Sequence, residues 1–252
     1  MEVIILGSGC GVPSKSRGSP SILISVEKDN LLFDTGPGSL RRLAEAGFTY
    51  QDIDYLLYTH FHVDHIADLA PFLFASKYPL NIRERELHIV GARGFKEHYQ
   101  KLFSLYGEQI QSLNYEIKIT EVNPGDKILS KTDGRWEITA AKMVHVRESI
   151  GYRIKDRRGR VVVYSGDTEY CNDIIELSYN ADLLILECSF PEKTPGHIYP
   201  GVAGKIAREA GVKHLVINHL YPICDSYDIL SPIRAEFNGK ITISEDLLKI
   251  EC

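Results

Sequence analysis

Short apolar runs separated by turn residues dominate the chain. Residues 3–6, 53–58, 182–187 and 213–218 are nearly continuous hydrophobic stretches of strand length, the pattern of strands covered on both faces. Ser21–Val26 and residues 30–33 read as a hairpin with Lys28-Asp29 at its turn, and residues 149–154 pair with 161–164 across Asp156-Arg157-Arg158-Gly159. Further strands are predicted at 87–90, 115–122 and 136–141, and near Ile241 and Leu248. Helical patterns lie between them: 39–46, stopped by Gly47; 66–78, with a break at Pro71; 95–105; 169–179; 200–210, ended by Gly211; and a short one at 229–237. No linker, low-complexity tract or repeat cuts the chain, so residues 1–252 read as one mixed α/β domain.

Composition narrows this picture. With 44% apolar and 25% charged residues, the 252-residue chain can bury a sizeable core. A net charge of −5 gives no global pull toward nucleic acid, although a local basic patch could supply one. No run approaches the roughly 20 apolar residues of a membrane span. Met1 to Leu6 lacks a basic leader and runs into Gly7, so a strand is expected there and not a signal peptide. Cys10, Cys171, Cys188, Cys224 and Cys252 form no Cys-x-x-Cys pair and read as reduced thiols of a cytoplasmic protein.

The chemistry concentrates at His60-Phe61-His62-Val63-Asp64-His65, directly after the apolar run 53–58. A His-x-His-x-Asp-His match arises by chance on the order of once in a thousand chains of this composition. In an extended segment His60 and His62 point the same way, whereas the neighbours Asp64 and His65 diverge. That arrangement suits two adjacent metal ions, His60 and His62 on one, Asp64 and His65 on the other. Four more residues follow the same rule of placement. Asp34, Asp167 and His219, like His60, come one or two residues after an apolar strand, and His145 follows a strand a few residues later. Ligand sites collect outside the carboxyl ends of strands, so these five strand ends define one site drawn from the whole chain. Gly7-Ser8-Gly9-Cys10-Gly11 has neither dinucleotide spacing nor a following Walker lysine and reads as a tight turn. His88 and His98 lie outside any histidine–aspartate cluster and are assigned structural roles.

On these motifs the sequence resembles the metallo-β-lactamase superfamily, and within it the ribonuclease Z and arylsulfatase-type phosphodiesterase branch. The likeness is carried in order by the Gly-rich opening at 6–14, Leu32-Phe33-Asp34-Thr35-Gly36-Pro37-Gly38, His60 to His65, Tyr164-Ser165-Gly166-Asp167-Thr168 and the strand 182–187. The resemblance implies an αβ/βα sandwich, two mixed sheets flanked by helices, with a dinuclear zinc centre; manganese or iron would suit the same ligands. It implies one ion on His60, His62 and His145, another on Asp64, His65 and His219, with Asp167 bridging and Asp34 supporting the histidines. Asp64 then serves as general base beside a metal-bound hydroxide, and His197 contacts the scissile phosphate and protonates the leaving group.

Two departures bear on substrate. Ile198-Tyr199-Pro200 replaces the small residues that follow this histidine in the family. The long Gly/Pro-rich arm with which ribonuclease Z grips tRNA is also missing: between His145 and Asp167 lies only the hairpin Lys155-Asp156-Arg157-Arg158-Gly159-Arg160. Its four cations could touch RNA phosphates, or could form a solvated tip. The expected function is therefore a metal-dependent phosphodiesterase acting on a small or nucleotide-like diester. The alternatives are a tRNA 3′-end endonuclease without the arm, a lactone or thioester hydrolase, and a non-catalytic metal-binding module. Homodimers are common in the resembling branch.

Overall fold

A computed structural model describes residues 1–130 and 134–252. The first half of the chain supplies β1 (Glu2–Gly7), β2 (Ser21–Val26), β3 (Asp29–Phe33), α1 (Ser39–Glu45), β4 (Tyr55–Leu57), α2 (Val63–Ile66), α3 (Leu69–Ala75), β5 (Leu87–Ala92), α4 (Phe95–Tyr106) and β6 (Ile117–Val122). The second half supplies β7 (Lys127–Leu129), β8 (Trp136–Lys142), β9 (Ile150–Asp156), β10 (Val161–Tyr164), α5 (Asn172–Leu177), β11 (Leu183–Glu187), α6 (Pro200–Glu209), β12 (His214–Asn218), α7 (Leu230–Glu236), β13 (Lys240–Ile243) and β14 (Leu248–Glu251). Two seven-stranded sheets result, ordered β14-β1-β2-β3-β4-β5-β6 and β13-β12-β11-β10-β9-β8-β7. Both are mixed: β3 to β6 run parallel, as do β10 to β13, and the remaining neighbours are antiparallel.

The continuous apolar runs are explained by three buried layers. Phe33, Leu57, Val90, Tyr152, Tyr164 and Ile185 meet between the sheets, where Phe33 contacts Tyr152 and Tyr164 edge-on at 5.5 and 6.1 Å. Leu56, Leu69, Phe72, Ile89 and Phe95 fill the layer between the first sheet and its helices. Leu184, Leu186, Ile206, Leu215 and Ile233 do the same for the second sheet. Helix–sheet–sheet–helix layering, as expected from the sequence, is thus the arrangement that hides both faces of each central strand.

Several boundaries move. Asp29 pairs with Val26, so the hairpin turn is Glu27-Lys28, with Glu27 at φ 56°, one residue earlier than expected. The helix expected at 66–78 is split at Ala67-Asp68, and Pro71 lies inside the first turn of α3, where a missing N–H costs nothing. At the split the Asp68 N–H donates to Thr35 O at 2.8 Å and its carboxylate accepts the Leu40 N–H at 3.1 Å, tying this junction to α1 and the loop before it. The helix expected at 169–179 shrinks to α5, because Glu169 N donates to Val144 O and its carboxylate turns to Gly196. The short edge strand β7 went unread.

The hairpin tip at 157–160 lies at the amino-terminal end of β10, opposite the end that leads to Asp167. Buried Asp156 accepts Arg158 N and Arg160 N at 3.0 and 2.9 Å and Arg160 Nε at 2.6 Å, and Arg160 also donates to Cys252 O. The tip therefore faces away from the candidate site. Among the described residues, no helix is long and apolar enough to cross a membrane.

His214, which opens β12, lies 2.8 Å from Thr242 Oγ1; burial, and then the charge of Lys240, push its pKa from 6.5 down to about 4. The fold thus favours the neutral ring, so this contribution to stability is complete above about pH 6.5 and is lost as pH falls toward 4. Urea midpoints measured across that window should fall for the wild type and fall less for His214→Gln.

Candidate metal centre

Asp34 follows β3, His60 follows β4, His145 follows β8, Asp167 follows β10 and His219 follows β12, all at the carboxyl ends of strands that point one way. His62 precedes α2, which turns Asp64 and His65 inward on a single helical turn instead of an extended strand. Tight backbone geometry brings these ends together. Asp34 and His219 have positive φ values of 53° and 59°, conformations that a side chain adopts only at a cost. A Cβ on Gly36 would lie 2.0 Å from Asp64 O, and one on Gly166 (φ 57°) would lie 2.6 Å from Thr59 Cβ. Both glycines are required by close approach.

Two groups of nitrogens converge. His62 Nδ1 lies 3.0 Å from His60 Nε2 and 3.1 Å from His145 Nε2. His65 Nε2 and His219 Nε2 are 3.2 Å apart, with Asp64 Oδ2 at 3.9 and 3.7 Å from them. Asp167 lies between the groups. Its Oδ2 is 3.9 and 3.7 Å from His60 and His145, and its Oδ1 is 3.4 and 3.3 Å from His65 and His219. His60, His65, His219 and Asp167 are buried, whereas His62 is exposed and forms the mouth.

The opposite ring nitrogens are held by fixed partners. His65 Nδ1 lies 2.8 Å from Asp34 Oδ2, and His60 Nδ1 lies 3.0 Å from Thr59 Oγ1, which itself donates to Asp34. His145 Nδ1 donates to Gly196 O at 2.9 Å, and His219 Nδ1 lies 2.9 Å from Ser189 Oγ. These contacts set the tautomers that aim each lone pair inward. Electrostatics agree. Burial, then the charge of His65, pushes His60 down to about 2, keeping its ring neutral. Burial would lower His65, but Asp167 and Asp34 raise it strongly. Burial would raise Asp64 and Asp167, yet the hydrogen bond from His219 and the charge of His65 hold Asp64 well below the carboxylate range, and the charges of His219 and His65 do the same for Asp167. Asp167 Oδ1 is buried with no hydrogen-bond partner among the described residues, an acceptor left over at the centre of the cluster. That donor set, imidazole and carboxylate without cysteine, fits zinc.

His197, before α6, joins the same cluster: one of its ring nitrogens lies within 4.8 Å of donor atoms of Asp167 and His219. Its Nδ1 is 3.0 Å from Glu187 Oε1 and 3.1 Å from Ser189 Oγ. Glu187 was not recognised in the sequence, although the rule that found Asp34 and His219, a polar residue ending an apolar strand, applies to it equally. Thr59, Ser189 and Tyr164, whose hydroxyl donates to Asp34 Oδ2 at 2.9 Å, carried no such signal. His88 and His98 stay outside the cluster, packed on Tyr55 and Phe61 at 4.8 and 5.4 Å between ring centroids.

Two sheets that deliver histidines and carboxylates to one end define a metallohydrolase of the β-lactamase type, and comparison with known proteins agrees. Residues 29–220 match the beta-lactamase superfamily domain, and the chain belongs to that superfamily. It is a metallo-β-lactamase-fold hydrolase. Ribonuclease Z of Archaeoglobus fulgidus is 28% identical over 307 aligned positions, covering 99% of this chain and 97% of that one. The probable metallo-hydrolase YhfI of Bacillus subtilis is 30% identical over 254 positions, covering 97% of each. The crystal structure of YhfI superposes with a TM-score of 0.83 at 28% identity, covering 99% of each chain. The short form of human tRNase Z has the same fold, with a TM-score of 0.81 at 23% identity, covering 100% of this chain and 99% of that one. An alignment of 307 positions against a chain of 252 residues leaves at least 55 positions of the archaeal ribonuclease without a counterpart.

Asp34→Asn should weaken zinc retention about 10- to 100-fold by releasing the His65 and His60 rings. Chelator competition, with far-UV circular dichroism to confirm folding, measures this directly.

Proposed function

We propose that the protein is a phosphodiesterase that hydrolyses a small or nucleotide-like diester, with two zinc ions in the His/Asp cluster. His60, His62 and His145 with Asp167 Oδ2 would hold one ion, and Asp64, His65 and His219 with Asp167 Oδ1 the other. Manganese or iron would suit the same donors. When bound, the ions lower the pKa of water and neutralise charge on the phosphate.

The observation that carries this reading is the His197–Glu187 pair at the edge of the cluster. Hydrolysis of a diester joins a water oxygen to phosphorus and breaks the bond to an alkoxide, which must receive a proton as it leaves. A thiolate, with a pKa of about 8.5, leaves without one, so a built-in donor favours diester over thioester chemistry. Burial alone would lower the His197 pKa, but the hydrogen bond and charge of Glu187 raise it above its ordinary value. With Nδ1 engaged by Glu187, Nε2 is the nitrogen left to give the proton. Asp64, kept ionised, accepts the proton of the attacking water. The relatives named ribonuclease Z support phosphodiester chemistry by analogy. A cytoplasmic location is supported by the five free cysteines.

Hydrolysis of bis(p-nitrophenyl) phosphate by zinc- or manganese-loaded protein tests the reading, and Asp64→Ala should lower the rate by at least roughly 100-fold. Absence of turnover with two ions bound would sink the proposal. His197→Ala should cost about 10²- to 10⁴-fold on a dinucleotide with an alkoxide leaving group and far less on the p-nitrophenyl ester, whose leaving group needs no proton.

A tRNA 3′-end endonuclease is the second reading, favoured by the archaeal ribonuclease Z alignment over 99% of the chain. The 55 or more unmatched positions and the outward-facing hairpin at 157–160 weigh against it. Cleavage of a 3′-extended tRNA, with binding that weakens steeply as salt rises, would establish it.

A further inference from the structure

A cavity of about 410 Å³ is lined by His197, one of whose ring nitrogens also lies within 4.8 Å of donor atoms of Asp167 and His219. Tyr170 and Tyr199 form its walls, and Lys193 and Lys205 also line it. Glu169 is its one acidic lining residue among those described, and that carboxylate is turned to the backbone, accepting Gly196 N at 2.5 Å. Lys205 is preorganised: its Nζ sits 4.6 Å above the Tyr170 ring, with Glu209 Oε1 at 3.9 Å, while the Tyr170 hydroxyl donates to Glu209 Oε2 at 3.1 Å. Lys193 is in no ion pair among the described residues. Lys193 thus brings to the cavity an ammonium with no carboxylate partner among the described residues, beside a Lys205 shared between the Tyr170 ring and Glu209.

We propose that this cavity binds the leaving-group half of the substrate, and that this half carries a second phosphate held by Lys193 and Lys205. The inference rests on the diesterase reading. His197 forms the boundary between the cluster and the cavity, its ring 4.9 Å from that of His145. A proton donor must touch the leaving oxygen, and the cavity that His197 also lines is the space we assign to the group bonded to that oxygen. Lysine is a compact point charge suited to phosphate. The substrate class is thus a diester whose departing alcohol is itself phosphorylated, as in a short oligonucleotide, and not a simple aryl or alkyl diester.

The test is calorimetric binding of thymidine 3′,5′-bisphosphate and thymidine 5′-monophosphate to the metal-loaded protein and to the Lys193→Ala/Lys205→Ala variant. The wild type should prefer the bisphosphate about tenfold or more, and the variant should lose that preference. Equal affinities for the two nucleotides, or a preference that survives in the variant, would overturn the inference. Turnover of bis(p-nitrophenyl) phosphate by the wild type, measured in parallel, separates the two ideas. Preference without turnover retains the phosphate cavity and removes the diesterase, whereas turnover without preference does the reverse.

Discussion

The buried carboxylate of Asp34 is the interaction on which the site depends. It accepts Thr59 N at 2.9 Å, the Thr59 hydroxyl, the Tyr164 hydroxyl and the His65 ring, and so joins β3, the segment after β4 and β10 of the opposite sheet. A fully buried charge is tolerated only when its acceptor sites are filled. Asp34 fills them with groups from both sheets, and in doing so fixes how far apart the sheet ends stand and which way two histidines face. Thr59 extends that control to His60, while Ser189 and Gly196 act in the same way on His219 and His145.

The remaining charge is unbalanced by design of the fold. Asp34, Asp64 and Asp167 surround a group of rings whose burial favours the neutral form. Asp167 Oδ1 faces His65 and His219 without a hydrogen-bond partner among the described residues. Such a site resists closing on itself and favours cations, which is the basis of metal affinity in this superfamily's fold.

The surface beside the cluster is built by different elements. Glu187 ends β11 and holds both His197 and Ser189, so one carboxylate orients His197 and, through Ser189, a ring of the cluster. The cavity past His197 is built by α6 and the loops before it and after β10. Phe190 and Tyr221, stacked at 4.3 Å, close the other flank of His197. The scaffold and the substrate-facing surface are therefore separable, as expected where loops on a rigid frame set specificity.

By itself the sequence determined the layering, because continuous apolar strands must be covered on both faces, and it determined the cluster, because His60 to His65 and the polar residues ending apolar strands obey a local rule. Boundaries such as the split at Ala67-Asp68 and the turn at Glu27-Lys28 escaped it, since they depend on a partner far along the chain or on strand register. Tertiary structure alone decided that Glu187 faces His197, that Arg160 is bound to Asp156 and to Cys252 O, and that Lys193 and Lys205 line one cavity. Those facts rest on side chains brought together across long sequence separations, where no local periodicity records which charge meets which.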